Sequence, residues 1–168
     1  MGMIYFPSQQ VELRYRPSYV EIADPSVSQR YQTTERELID SRESSDYVRR
    51  KIAQLEAEKK LKQLLLLPEN WDSYGSERPS TTAIAAAGSI AVAFIEFGLI
   101  PDAITPSSEG GIAICFVRNQ KYADVECFNS GQVIAVRYST NDDPKAWPAA
   151  DPIARAATIM ELSAYLSA

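Results

Sequence analysis

Apolar side chains recur along this chain with two different periods, helical before Phe97 and alternating after Gly111. From Thr33 to Leu67 the residues are mostly Glu, Lys, Arg, Gln and Leu, and Thr34 stands three before Glu37, the spacing of a capping box. A charged helix is predicted over 34–67. The cluster Ser41–Ser45 is expected to interrupt it, with Ser45 as a fresh N-cap for a helix over Asp46–Leu66. Its apolar positions, Val48, Ile52 and Leu55 and then Leu61, Leu64 and Leu65, drift around the axis, as when a helix leaves one partner and joins another. The run Glu56–Lys62 reads as a solvated face. Pro68 ends this helix, and LPENWDSYGSERPS is rich in turn formers. Ser80 is an N-cap for a second helix, Thr81–Phe97, with Ile84, Ala87, Gly88, Ala91, Phe94 and Ile95 on one face. Gly98 stands where a left-handed residue closes a helix, Leu99 can make the accompanying contact, and Pro101 prevents resumption.

Between Gly111 and Thr140 strand register can be argued from the alternation, because a slip of one residue sends apolar side chains to the wrong face. Tight turns at Asn119-Gln120 and Ser130-Gly131 set Ile112, Ile114 and Phe116 opposite Cys127, Val125 and Ala123, and these opposite Ile134, Val136 and Tyr138. One face is then wholly apolar. On the other, Asp124 is expected opposite Arg137, a surface pair worth at most about 1 kcal/mol. Ala103–Ser107 is a candidate further strand, and NDDPKAWPAADP is read as a loop. Asp151 and Pro152 open a last helix to about Leu166, striped by Ile153, Ala156, Ala157, Met160 and Ala164. The expected fold is α+β: a two-layer sandwich of an antiparallel three- or four-stranded sheet with helices on one face. It occupies 68–168, behind the long polar helix 34–67 and an extended arm, 1–33.

That arm contains Pro7, Pro17 and Pro25, short alternating pieces (Val11–Tyr15 and Tyr19–Ile22) and more aromatic residues than a linker needs, which suggests that it docks onto something. It has neither the basic start nor the apolar run of a secretory signal, and the Ala-rich run around Ala83–Ile95 is too weakly hydrophobic for a membrane span. A cytoplasmic protein is expected. The net charge of −5 disfavours nucleic acid as a direct ligand, since binding phosphates needs a basic stripe. Histidine is absent, which removes the commonest general base and metal ligand. The two cysteines, Cys115 and Cys127, fall on opposite sheet faces in the register above and are expected to be free apolar fillers. No catalytic residue, cofactor or metal is expected.

The chemistry left to weigh is in surfaces. Asn70-Trp71-Asp72-Ser73-Tyr74-Gly75, followed by Pro79 and by Glu109-Gly110-Gly111-Ile112, resembles small uncharacterised bacterial proteins with a W(D/N)-x-Y-G loop, a helix, and a GG-I opening of a sheet. The resemblance covers roughly Leu65 to Tyr138. Such proteins are often encoded beside toxin-like or mobile-element genes, so the resemblance implies an accessory or antitoxin-like role and carries over no catalytic residue. Physically, Trp71 reads as a loop anchor, Asp72 as the head of an Asx turn and Gly75 as a positive-φ residue; the alternative is a Trp71/Tyr74 binding pocket. Asp124 and Glu126 share a strand face at a spacing an acid–base pair could use, against the plainer reading of a solvated sheet face. Asp142-Asp143 falls short of a calcium loop.

The outer sheet face is expected to carry Ala113, Cys115, Val117, Tyr122, Phe128, Val133 and Ala135, more apolar surface than solvent requires. A cover is implied, whether the arm, a second copy or a foreign protein. The leading expectation is a non-enzymatic protein-interaction module, antitoxin-like or regulatory, binding a protein partner or its own copies through Trp71, Tyr74, Tyr122, Phe128 and Val133. Rivals are an assembly subunit of a phage or other particle, and a small carboxylate-dependent enzyme. Because the core is assigned to the helices and sheet, a chain lacking residues 1–32 should keep a cooperative thermal transition; its loss would make the arm part of the core.

Overall fold

A computed structural model describes residues 25–140 and 142–167, with side-chain surroundings from Ser41 onward except at Asp142. The elements are α1 (Pro25–Leu65), α2 (Thr81–Glu96), β1 (Ala103–Ser107), β2 (Gly111–Arg118), β3 (Lys121–Phe128), β4 (Val133–Ser139), β5 (Asp142–Pro148) and α3 (Pro152–Ser167). The chain divides into two units, Met1–Ser41 and Arg42–Ala168. The fold is α+β, with a five-stranded antiparallel sheet in the order β1-β2-β3-β4-β5. Of the expected extended arm, residues 1–24 lie outside the described residues. Residues 25–33 are helical instead, because Pro25 stands at the start of α1, where a missing N–H costs nothing. Nor does Ser41–Ser45 break the helix: a serine inside a helix costs only roughly 0.5 kcal/mol relative to alanine.

Within the second unit, α1 buries Ala53, Ala57, Leu61 and Leu64 in the core, while Val48, Ile52 and Leu55 are exposed. Leu61 lies against α2 where Gly88 has no side chain: a Cβ there would be 3.5 Å from Leu61 Cδ1. The helix expected over 34–67 thus helps build the core that the pattern had assigned to 68–168. α2 is capped as its sequence predicts. The Ser80 side chain accepts from the Ala83 N–H at 3.2 Å, and the far end closes with Gly98 N–H to Ile95 C=O and Leu99 N–H to Phe94 C=O, both 2.9 Å.

The β2–β3 hairpin has the expected register, with Ile112 opposite Cys127, Ile114 opposite Val125 and Phe116 opposite Ala123. Asn119 and Gln120 form its turn with φ of 50° and 65°, the two positive values of a type I′ turn. Cys127 is buried on the inner face and Cys115 half-buried on the outer, both as free thiols. Burial pushes the Cys127 thiol up to about 12.

The β3–β4 register is one residue away from expectation. Cys127 pairs with Val133, Val125 with Ala135 and Ala123 with Arg137, so Val133 and Ala135 are buried inside while Ile134, Val136 and Tyr138 face outward. The connection is the cause. Phe128 C=O accepts from the Gly131 N–H and Phe128 N–H donates to Gln132 C=O, each at 2.9 Å, and Gly131 has φ of 87°. This is a three-residue loop with a glycine bulge, and its extra residue turns every β4 side chain over. Arg137 accordingly lies inside, paired with Glu161 at 3.1 Å, and Asp124 stands opposite Val136.

Two further expectations are corrected. The segment read as a loop contains β5, which makes the sheet five-stranded rather than three- or four-stranded; its Pro144 and Pro148 are tolerated because β5 is an edge strand. α3 is rolled about its axis, burying Thr158, Ile159, Leu162, Tyr165 and Leu166 and leaving Ile153 and Met160 exposed. Polar ties hold it there. Trp147 Nε1 donates to Thr158 Oγ1 at 2.9 Å, and Lys121 Nζ donates to the Tyr165 carbonyl at 2.9 Å.

α2 and α3 both cover the inner face, where the Phe94 and Phe116 rings meet at 4.9 Å and Ile90, Ile112, Ile114 and Leu162 are buried. Among the described residues no helix is long and apolar enough to cross a membrane.

Gly111, with φ of 143°, lies so close to β3 that an added Cβ would stand 2.2 Å from the Cys127 carbonyl oxygen. In urea titrations Gly111→Ala should therefore cost more than about 3 kcal/mol, while Gly131→Ala, with room for a Cβ, should cost roughly 1–2 kcal/mol of backbone strain. Equal losses would contradict this account of the two turns.

Candidate functional site

Alternation places Ala113, Cys115 and Val117 of β2, Tyr122, Asp124, Glu126 and Phe128 of β3, and Ile134, Val136 and Tyr138 of β4 on the outer face. The helices that contact these strands cover the opposite side. Val117 and Tyr138 remain exposed, and Cys115, Tyr122, Phe128, Ile134 and Val136 are half-buried. Tyr122 and Tyr138, directly opposed across β3 and β4, stack at 5.1 Å with ring planes 11° apart. Their pair forms one end of an apolar strip that continues through Val136 and Ile134.

Asp124 and Glu126 interrupt this strip, and the ladder shows why they differ. Glu126 accepts a hydrogen bond from the Ser107 hydroxyl of β1. Asp124 is flanked by Cys115 and Val136; burial first, and the Glu126 charge second, hold its carboxyl above the usual range. Burial and the same Asp124 charge push the Cys115 thiol up, and the Tyr138 phenol shifts up for the same two reasons. A thiol displaced in that direction is a poor nucleophile. The basic residues nearest in the strands are engaged elsewhere: Arg118 with Asp102 at 2.5 Å, Lys121 with Tyr165, and Arg137 with Glu161. Among the described residues no group of three or more Cys, Asp or Glu is placed to hold a metal ion.

The expected partner-binding residues separate into three places. Tyr122 and Phe128 lie on the outer face as read. Val133 does not; it is an inner core residue. Trp71 and Tyr74 belong to the loop before α2, where Trp71 Nε1 donates to the Glu77 carbonyl at 3.3 Å and Tyr74 is 93% exposed at the tip. The loop is held by Asp72, which accepts from the Tyr74 N–H at 2.9 Å and from the Ser76 hydroxyl at 2.5 Å, and by Asn70, whose side chain accepts from Gly75 N–H at 2.6 Å. The Ser76 hydroxyl and the backbone donors keep the Asp72 carboxyl below its usual range. Asn129 then ties this segment to the β3–β4 connection, accepting from Ser80 N–H at 2.7 Å and donating to Arg78 C=O at 3.0 Å. These contacts make the Trp71–Gly75 motif and its glycine pair parts of the scaffold.

Sequence reasoning missed Ile134, Val136 and Tyr138 as outer-face residues. The signal was Gly131 as third member of Asn129-Ser130-Gly131, a composition that fits a glycine-bulge loop as well as a two-residue turn. No protein-family model, curated protein or solved structure matches the chain. The geometry of the face must therefore carry the functional reading.

The raised Asp124 carboxyl has a direct consequence for stability. Because the folded chain holds this proton more tightly than the unfolded chain, ionised Asp124 costs stability above its raised pKa, and the cost fades as the pH falls to the ordinary carboxylate range. Asp124→Asn should raise the melting temperature at pH 7 relative to the parent chain. That advantage should shrink steadily on acidification; a constant or growing difference would show that Asp124 is not strained by ionisation.

Proposed function

We propose that this chain is a non-enzymatic protein-interaction module, an antitoxin-like or regulatory accessory protein that acts by binding a partner protein across the outer face of its sheet. The observation that carries the reading is the strip Tyr122, Tyr138, Val136 and Ile134 with an ionisable Asp124 at its centre and, among the described residues, no cation paired with it. Each large apolar side chain taken from water onto such a face is worth about 1.5–3 kcal/mol when fully buried. A Lys or Arg brought to Asp124 would also offset the desolvation it already suffers. The fitting partner surface is therefore apolar with a cationic centre. Catalysis has little to work with here: Glu126 is held by Ser107, and the thiol and phenol nearby are shifted away from reactivity.

Affinity capture with the full chain, compared with Val136→Lys and Tyr138→Lys variants, tests this. The expected result is one partner retained by the parent and weakened about 30-fold or more by either change, with unfolding unaltered, as for the centre of an interface. A partner held equally by all three, or whose contacts map by cross-linking to the helical side, would overturn the assignment of the face.

A further inference from the structure

Helix α1 has two apolar faces, and among the described residues one is buried and the other exposed. Ala53, Ala57, Leu61 and Leu64 are in the core; Val48 and Leu55 lie about half a turn round the axis from Ala57 and Leu64, and both are more than half exposed, as is Ile52. Val48, Ile52 and Leu55 follow one another at intervals of four and three, the seam of a two-helix coil, and Lys59, Lys62 and Leu66 continue the same spacing. Leu66 is itself 82% exposed.

The residues beside the seam say what fits it. In an antiparallel pair with Ile52 against the partner's Leu55, Arg49 faces the partner's Glu56 along one edge, and Lys51 faces the partner's Glu58 along the other. Twofold symmetry repeats both contacts, so every charged flanking position in this stretch meets its opposite. Lys59 and Lys62 then lie beside the partner's Val48 and Ser45, where their methylene stems cover apolar surface and their ammonium groups reach water. A parallel pair would instead set Lys59 on Lys59 and Lys62 on Lys62, a repulsion at two successive seam positions.

We infer that α1 is a dimerisation helix, which pairs antiparallel with α1 of a second copy through Val48, Ile52 and Leu55. This seam lies on the helical side of the fold and does not depend on the function assigned to the sheet face. A dimer built this way carries two copies of that face.

Sedimentation of the full chain over a range of concentrations should show a reversible monomer–dimer equilibrium, and Ile52→Glu should weaken it about 30-fold or more while leaving helix content and thermal unfolding of the monomer unchanged. Arg49→Glu alone and Glu56→Arg alone should each weaken association, and the two together in one chain should restore it. Direction is read by oxidative cross-linking: Ser45→Cys combined with Lys62→Cys should link two chains efficiently, and Ser45→Cys alone should not. A chain that is monomeric at high micromolar concentration, a double reversal that fails to restore association, or efficient linkage through Ser45→Cys alone would each overturn the proposal. Should Ile52→Glu unfold the chain, the exposed charge-reversal pair and the cross-links still decide it.

Discussion

Gly131 accepts a φ of 87°, and that single backbone state decides which side of the C-terminal half of the sheet is core. With Phe128 bonded at both its N–H and C=O across the loop, β4 begins with Val133 pointing inward under the helices. Had the strands been joined by two residues, Ile134 and Val136 would be core, and Val133 and Ala135 would face out. Either arrangement buries aliphatic side chains, so hydrophobicity alone barely separates them. The polar groups do. The observed register carries Arg137 inward to Glu161 and over the Tyr165 ring at 4.6 Å, and sets Trp147 where its indole N–H meets Thr158. Those ties also fix the roll of α3, whose own sequence offers an equally regular apolar stripe on the opposite side.

Much of this was legible in the residues. The limits of α2, its two caps, the β2–β3 register and the opposed faces of the two cysteines follow from spacing and turn chemistry, because each has a strong local signal with one cheap solution. What was not legible shares a cause. The β3–β4 connection, β5 and the roll of α3 each present two nearly equal local solutions, and the choice is made by contacts distant in sequence. Asn129 reaches back to Ser80, Trp147 forward to Thr158 and Lys121 to Tyr165. Of the candidate site, Tyr122 and Phe128 were found because β3 takes its register from the earlier hairpin. Val133 was misplaced because it follows the ambiguous one.

The loop bearing Trp71 and Tyr74 illustrates how a conspicuous motif can be structural. Asp72 and Asn70 satisfy donors within the loop, and Gly110 at the head of β2 comes so near Glu77 and Asn129 that an added Cβ would stand 3.4 Å and 3.0 Å from them. Trp71, the acid and the glycines thus lock the approach to α2 against two turns of the sheet. A motif of this kind keeps its shape for packing reasons whatever the protein binds. Only Tyr74, projecting at the tip, is left over from that role.

The acidic face and the helix seam differ in how their costs are met. On the sheet, ionised Asp124 among Cys115 and Val136 is a standing penalty in the isolated chain, since neither neighbour can neutralise it. On α1 the exposed Val48, Ile52 and Leu55 cost less individually, being scattered along a helix that is stabilised by burial on its other side. Their regular spacing, with alternate charges at the margins, is what separates them from incidental exposed hydrophobes. The two surfaces are carried by opposite layers of the same unit, so occupancy of one leaves the other free, and an assembly built on α1 can still present both sheet faces to a partner.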